Sequence, residues 1–136
     1  MGRLRHPLFH GGRDRREWER AARGADARIF PHGFTLRPDE GNIDTTYNKD
    51  LHAVGADVVG SYPQTNSPFN IEDMVGNAFE WTTSNLTESG YVARGGGFFF
   101  NEITARATNR AVVPPNIRDS QLGIRLCAPF DAESSR

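Results

Sequence analysis

The chain has 136 residues and a formal net charge of −1, which allows one domain with a modest core. This charge gives no electrostatic reason to expect a nucleic-acid or membrane-surface partner, and no apolar run is long enough to span a membrane. Cys127 is the one cysteine, which excludes an intramolecular disulfide and a redox site made of two thiols.

The beginning of the chain is basic. Eight of the fifteen arginines lie in residues 1–28, together with four acidic residues. Residues 1–12 also contain three glycines and a proline, and we predict a disordered basic end there. Residues 1–6 lack the apolar core of a signal peptide, so a cytoplasmic location is the default expectation. We predict one domain over residues 13–130 and a tail over residues 131–136.

Residues 14–24 carry the pattern of an amphipathic helix. Asp14 followed by Glu17 is typical of a capping box, and Gly24 is a natural C-terminal stop. Trp18 begins a narrow apolar stripe that continues at alanines 21, 22 and 25, so we expect Trp18 in the core. We interpret Glu19, beside it, as a surface charge.

Residues 29–68 show little periodicity. Eight glycines and prolines interrupt this segment, with many Asn and Asp residues between them. A segment this long without regular structure is usually functional, braced by a metal, or disordered.

The sequence of residues 73–81 predicts a turn followed by an extended segment. Gly76 and Asn77 tolerate positive φ, and Phe79 and Trp81 fall on one face, where we expect them in the core. Asp73 and Glu80 carry carboxylates on either side of the turn, with backbone carbonyls between them. Two interpretations are open. These oxygens could hold a calcium ion, or Glu80 could pair with a buried arginine while Asp73 caps a turn.

The C-terminal third predicts two more strands. Residues 91–94 form one, ending in three glycines, and residues 123–128 form the last, with Ile124 and Leu126 on its apolar face. Arg94 and Arg125 stand beside glycines within these strands, and we expect both to make buried hydrogen-bonded pairs. Cys127 is expected to act as a small core residue.

Several of these segments together resemble the sulfatase-modifying-factor family, whose best-known members are formylglycine-generating enzymes. The segments occur in the order in which the family has them, and coverage runs from about residue 17 to residue 128. The matching pieces are residues 17–24, 30–33, 41–43, 59–63, 73–81, 94–98 and 122–125. They correspond to the C-terminal half of such a domain.

The resemblance implies an α+β fold of C-type-lectin-like topology with short strands and long irregular loops. It also implies calcium. One family site would use the Asp73 and Glu80 side chains and the carbonyls of Gly76 and Ala78. A second would use Asn42 and the Ile43 carbonyl, with its other ligands near residues 50 and 52, which are Asp50 and His52.

The departures from the family matter most for function. The family's two catalytic cysteines, five residues apart, fall on Phe100 and Ala105, which supply no sulfur for copper. No copper cofactor is therefore expected, and no catalytic residue is assigned. The leading hypothesis is a non-catalytic module that binds an unknown protein or small molecule, as in similar domains attached to bacterial Ser/Thr kinases. Two alternatives stay open: a formylglycine-generating oxidoreductase acting on a sulfatase cysteine, and a truncated gene product without independent function.

Overall fold

The fold of the chain is given by a computed structural model, which describes residues 14–87 and 90–126. It contains one α-helix, α1 (Asp14–Arg23), a short 3-10 turn (Pro63–Thr65) and four strands. The strands are β1 (Phe79–Thr87), β2 (Gly90–Arg94), β3 (Ala111–Val113) and β4 (Leu122–Gly123). Long irregular connections fill the rest, so the α+β class with short strands that the sequence predicts is confirmed.

The four strands form one mixed sheet in the order β3-β2-β1-β4. Strands β1 and β2 are antiparallel, as are β2 and β3, whereas β4 runs parallel to β1. Glu80 of β1 lies opposite Arg94 on one side and Gly123 on the other. Glu80 therefore lies in the interior of the sheet, with β2 on one side of its backbone and β4 on the other.

Helix α1 packs its apolar stripe on the sheet region as the sequence predicts. Trp18 and Ala22 are buried in one cluster with Met74 and Ala107. The helix stops because Gly24 adopts a φ of +71° and its N–H donates to the Arg20 carbonyl at 2.8 Å, which is a left-handed C-terminal cap.

The irregular segment packs into a second cluster. Phe30 and Ile43 of this segment are buried there together with Val75 and Ala105. Backbone hydrogen bonds tie this segment to the C-terminal third: the Ala107 N–H donates to the Ile29 carbonyl at 2.9 Å, and the Asp44 N–H to the Phe100 carbonyl at 3.0 Å. Within the described residues, no helix is long and apolar enough to cross a membrane.

Three expectations about the core are wrong. Trp81 is only half-buried, and its ring meets that of Tyr91 edge-on, at 6.4 Å between centroids. Strand β4 ends at Gly123, and beyond it Ile124 and Leu126 are 70% and 72% exposed. Phe79, in contrast, is buried as predicted. The calls on residues 1–12, Cys127 and residues 131–136 lie outside the described residues.

Candidate functional site

A buried carboxylate at Glu80 joins three parts of the chain. The residue is 7% exposed, and its Oε2 accepts a hydrogen bond from Trp18 Nε1 of α1 at 2.7 Å. Arg125, just after β4, donates from Nε to both carboxylate oxygens, at 2.9 and 3.1 Å, and from Nη2 to Oε1. We call Trp18, Glu80 and Arg125 the Glu80 junction. A buried charge needs such partners, so the junction fixes the helix and the C-terminal segment against β1.

Arg125 also reaches the backbone before the turn. Its Nη2 donates to the Glu72 carbonyl at 2.9 Å and to the Asp73 carbonyl at 3.2 Å. The pairing of Glu80 with an arginine, one of the two interpretations left open by the sequence, is present in the structure, with Arg125 partly exposed at 28%. The pair is a bidentate fork, the geometry that suits a guanidinium and a carboxylate. Calcium binding by Asp73 and Glu80 stays a prediction.

The turn itself has the backbone that its sequence predicts. Gly76 and Asn77 have φ values of +71° and +66°. The Gly76 N–H donates to the Gly95 carbonyl and the Asn77 N–H to the Asn42 carbonyl, both at 2.7 Å. A Cβ on Gly76 would lie 2.5 Å from the Asn42 carbonyl oxygen, so this position requires glycine.

The first predicted calcium site is partly assembled. Asp73, Ala78 and Glu80 line one cavity of about 430 Å³, together with Glu72 and Arg125. However, Asp73 Oδ2 accepts a hydrogen bond from the Gly60 N–H at 2.7 Å, and Arg125 bridges the Asp73 carbonyl and the Glu80 carboxylate. The described residues contain no group of three His, Cys, Asp or Glu side chains placed to hold a metal ion.

The second predicted site is a hydrogen-bonded network. Asn42 is buried, and its Nδ2 donates to the Gly55 carbonyl at 2.7 Å and to Asn77 Oδ1 at 3.1 Å. The Ile43 carbonyl accepts a hydrogen bond from the Thr46 N–H at 3.0 Å. Asp50 and His52, in contrast, are exposed, and Asp50 Oδ1 accepts from the His52 N–H at 2.9 Å. They are held in a local turn.

The sequence analysis missed Asp57, which extends this network. Its N–H donates to Asn77 Oδ1 at 2.8 Å, and its carboxylate accepts from the hydroxyls of Tyr47 and Tyr62, at 2.7 and 2.5 Å. The pKa of Tyr62 is raised, first by burial and then by its hydrogen bond to Asp57. The pKa of Tyr47 is raised chiefly by its own hydrogen bond to Asp57. No sequence signal connects residues 47, 57, 62 and 77, because their spacings follow neither the helical nor the strand period.

Arg94 makes the buried pair expected of it. The side chain is 1% exposed, and Nη1 donates to the Ala107 carbonyl at 3.1 Å. Its guanidinium lies over the Trp18 ring, 5.7 Å from the centroid, and Nη2 lies 3.5 Å from Glu19 Oε2. The interpretation of Glu19 as a plain surface charge is therefore wrong, because this carboxylate balances a buried cation.

The two positions that correspond to the family's catalytic cysteines have separate environments. Ala105 is fully buried against Gly96, where a Cβ would come within 2.8 Å of the Ala105 Cα. Phe100 is 41% exposed and meets Phe79 edge-on, at 5.4 Å between centroids. Phe79 and Phe100 line a mostly apolar groove of about 390 Å³, which β3 and β4 border through Val113 and Leu122.

Comparisons with known proteins agree on one family. The sequence profile described as "Sulfatase-modifying factor enzyme 1-like domain" matches residues 14–129. A curated mouse protein named "Inactive C-alpha-formylglycine-generating enzyme 2" is 30% identical over 126 residues, covering 82% of this chain and 40% of that protein.

Solved structures show the same fold. Treponema denticola variable protein 1 matches with a TM-score of 0.66 and 20% identity, covering 82% of this chain and 44% of that one. PvdO from Pseudomonas aeruginosa has a TM-score of 0.67 and 21% identity, covering 82% and 49%. CarF has a TM-score of 0.66 and 20% identity, covering 85% and 45%. The chain spans less than half the length of each of these proteins, and it belongs to the sulfatase-modifying-factor enzyme 1-like family.

Proposed function

We propose that the chain is a non-catalytic module of this family, which acts by binding and does not oxidise a cysteine. The observation that carries the proposal is the identity of the residues at the two thiol positions. Phe100 packs on Phe79, and Ala105 lies fully buried against Gly96. These positions are used for packing, where the oxidation would need two sulfur donors.

The chemistry of the reaction makes those donors necessary. Activation of oxygen by copper in this family would require soft thiolate ligands that hold Cu(I). Phenylalanine and alanine have no donor atom, and Cys127 is the one sulfur nucleophile in the sequence. A single thiol cannot replace a pair within one chain.

A relative supports this proposal by its name. The mouse protein that is 30% identical to the chain is named as an inactive formylglycine-generating enzyme. The apolar groove beside Phe100 is a surface on which a binding module of this kind would receive a partner. Attachment to a signalling protein, as the sequence analysis suggests, is one setting for such a module.

The test incubates the protein with copper, oxygen and a peptide containing the sulfatase-type Cys-x-Pro-x-Arg sequence, and then measures the peptide mass. We expect the protein to leave the peptide thiol unchanged beyond what free copper does. The wild-type protein should match a Cys127→Ser variant, which removes the last thiol of the chain.

An aldehyde product formed faster than with free copper would overturn the proposal. If that activity were lost in the Cys127→Ser variant, it would assign the reaction to this thiol. If the activity persisted in the variant, the reaction would be assigned to a site without a thiol from this chain. Either result would restore the enzyme hypothesis.

A further inference from the structure

We propose that Tyr47, Asp57 and Tyr62 form a binding site for a hard trivalent metal ion, of which ferric iron is the common biological example. We call these three residues the tyrosine clamp. The ion would take the place of the two phenolic protons and bind both phenolate oxygens together with the Asp57 carboxylate. This role is independent of whether the chain oxidises cysteine.

The first argument is that oxygens from three parts of the irregular segment converge on one carboxylate. The Tyr47 hydroxyl donates to Asp57 Oδ1 at 2.7 Å, and the Tyr62 hydroxyl donates to Asp57 Oδ2 at 2.5 Å. Oxygens around an octahedral ion with bonds of about 2.0 Å lie about 2.8 Å apart. The clamp therefore already holds its oxygens near the separation that such an ion requires, and small rotations of the side chains would admit it.

The second argument is that the backbone beneath two of the ligands is fixed. One side chain, Asn77, binds both backbone groups of Asp57: its Oδ1 accepts from the Asp57 N–H at 2.8 Å, and its Nδ2 donates to the Asp57 carbonyl at 3.2 Å. The Tyr62 carbonyl accepts from the N–H and the hydroxyl of Thr65, a fully buried residue, at 3.0 and 2.8 Å. Ligands that are positioned in advance lose less conformational entropy when the ion binds.

The third argument is the charge and chemical type of the donors. Phenolate and carboxylate oxygens are hard ligands, which suit a small, highly charged ion and not soft Cu(I). Two phenolates and one carboxylate carry three negative charges, so a trivalent ion balances the set. Binding breaks the two O–H bonds and releases both protons to solvent.

The clamp differs in kind from a cluster of three His, Cys, Asp or Glu side chains, which the described part of the chain does not contain. Two of its three donors are phenols, each of which carries a single oxygen. Tyr47 is 38% exposed and Tyr62 is half-buried. An ion can therefore reach the clamp from solvent and keep water in its remaining coordination positions.

The experiment titrates the full chain with ferric nitrilotriacetate and follows visible absorption. A phenolate bound to Fe³⁺ gives a charge-transfer band in the visible range, which carboxylate and imidazole ligands do not give. We expect this band to grow in the wild type and to saturate at one equivalent of iron per chain. Titration in weakly buffered solution should release two protons for each ion bound, one from each phenol.

The chain has three tyrosines, so the third provides a matched control. Tyr47→Phe and Tyr62→Phe each keep the ring and remove one ligand, and each should weaken iron binding by at least about tenfold. The double variant should give no visible band. Tyr91→Phe removes the hydroxyl of a ring that packs against Trp81, and it should keep the full band. Near-UV circular dichroism shows whether each variant is folded.

Three results would overturn the proposal. Without a visible band in the wild type, the clamp would be a hydrogen-bonded support for its loops and no metal site. A band that persists in a folded double variant would come from iron bound elsewhere, as would a band that is lost in Tyr91→Phe. If the double variant does not fold, the two single variants decide, because each keeps one of the two phenols on Asp57.

Discussion

Replacing Gly76 by alanine tests the turn at the centre of the fold. The residue has a φ of +71°, and a Cβ there would lie 2.5 Å from the Asn42 carbonyl oxygen and 3.1 Å from its carbonyl carbon. The substitution therefore adds two separate costs. One is the strain of a left-handed backbone, about 1–2 kcal/mol, and the other is a clash with backbone atoms that cannot rotate away.

The clash can be given a magnitude from packing principles. Forcing extra atoms into a packed region costs about 1–3 kcal/mol, and here the atom pushed away is the acceptor of the Asn77 N–H. We expect Gly76→Ala to lower the free energy of unfolding by about 2–5 kcal/mol. For a domain of this size, that corresponds to a fall in Tm of roughly 10–20 °C.

Gly24 provides the matched control. It has the same φ of +71°, but its Cβ would meet only the Pro68 side chain, at 3.4 Å. Gly24→Ala should therefore show the backbone strain of about 1–2 kcal/mol alone, and Gly33→Ala, with open space around it, should be close to neutral. Thermal unfolding followed by near-UV circular dichroism measures all three. If Gly76→Ala melts at the same temperature as Gly24→Ala, the reasoning about the contact with Asn42 is refuted.

Three further predictions concern the core and the loop network. Trp18→Phe keeps a ring but removes the Nε1 donor to Glu80, and it should cost about 1–3 kcal/mol in urea unfolding; a neutral result would show that water replaces the donor. Trp81→Ala should cost about 2 kcal/mol, below the roughly 3–5 kcal/mol of a fully buried tryptophan, because the ring is half-buried; a larger loss would place it in the core. The pKa of Tyr62 is raised above its ordinary value of 10.0, so the folded state holds the phenolic proton more tightly than the unfolded chain does. The stability that this proton contributes is therefore complete below pH 10 and is lost as the pH rises further. Tyr62→Phe should reduce this alkaline loss, and identical urea-unfolding profiles for variant and wild type between about pH 9 and 12 would contradict the assignment.

Local signals in the sequence predict the elements that local chemistry specifies. The stripe at Trp18 and the stop at Gly24 describe α1 correctly, since each acts within one or two turns of helix. The positive φ values of Gly76 and Asn77 follow from the two residues themselves. The ordered matches to the family then identify the fold.

Contacts distant in the chain are the part that the sequence does not reveal. Glu19 looks like a surface charge because its partner Arg94 lies 75 positions later. Asp57 carries no motif, and its role comes from two tyrosines and Asn77 that the loops bring together. The exposure of Ile124 was missed because alternation predicts two faces and cannot tell whether anything covers the second.

The central claim, that this chain has no thiolate site for copper, is tested most directly by its affinity for Cu(I). The measurement is competition with a coloured Cu(I) chelator under anaerobic, reducing conditions, for the wild type and for Cys127→Ser. The account predicts that neither protein withdraws a stoichiometric equivalent of Cu(I) from the chelator. Withdrawal of one equivalent per chain by the wild type would contradict it and would reveal a copper site that Phe100 and Ala105 do not supply.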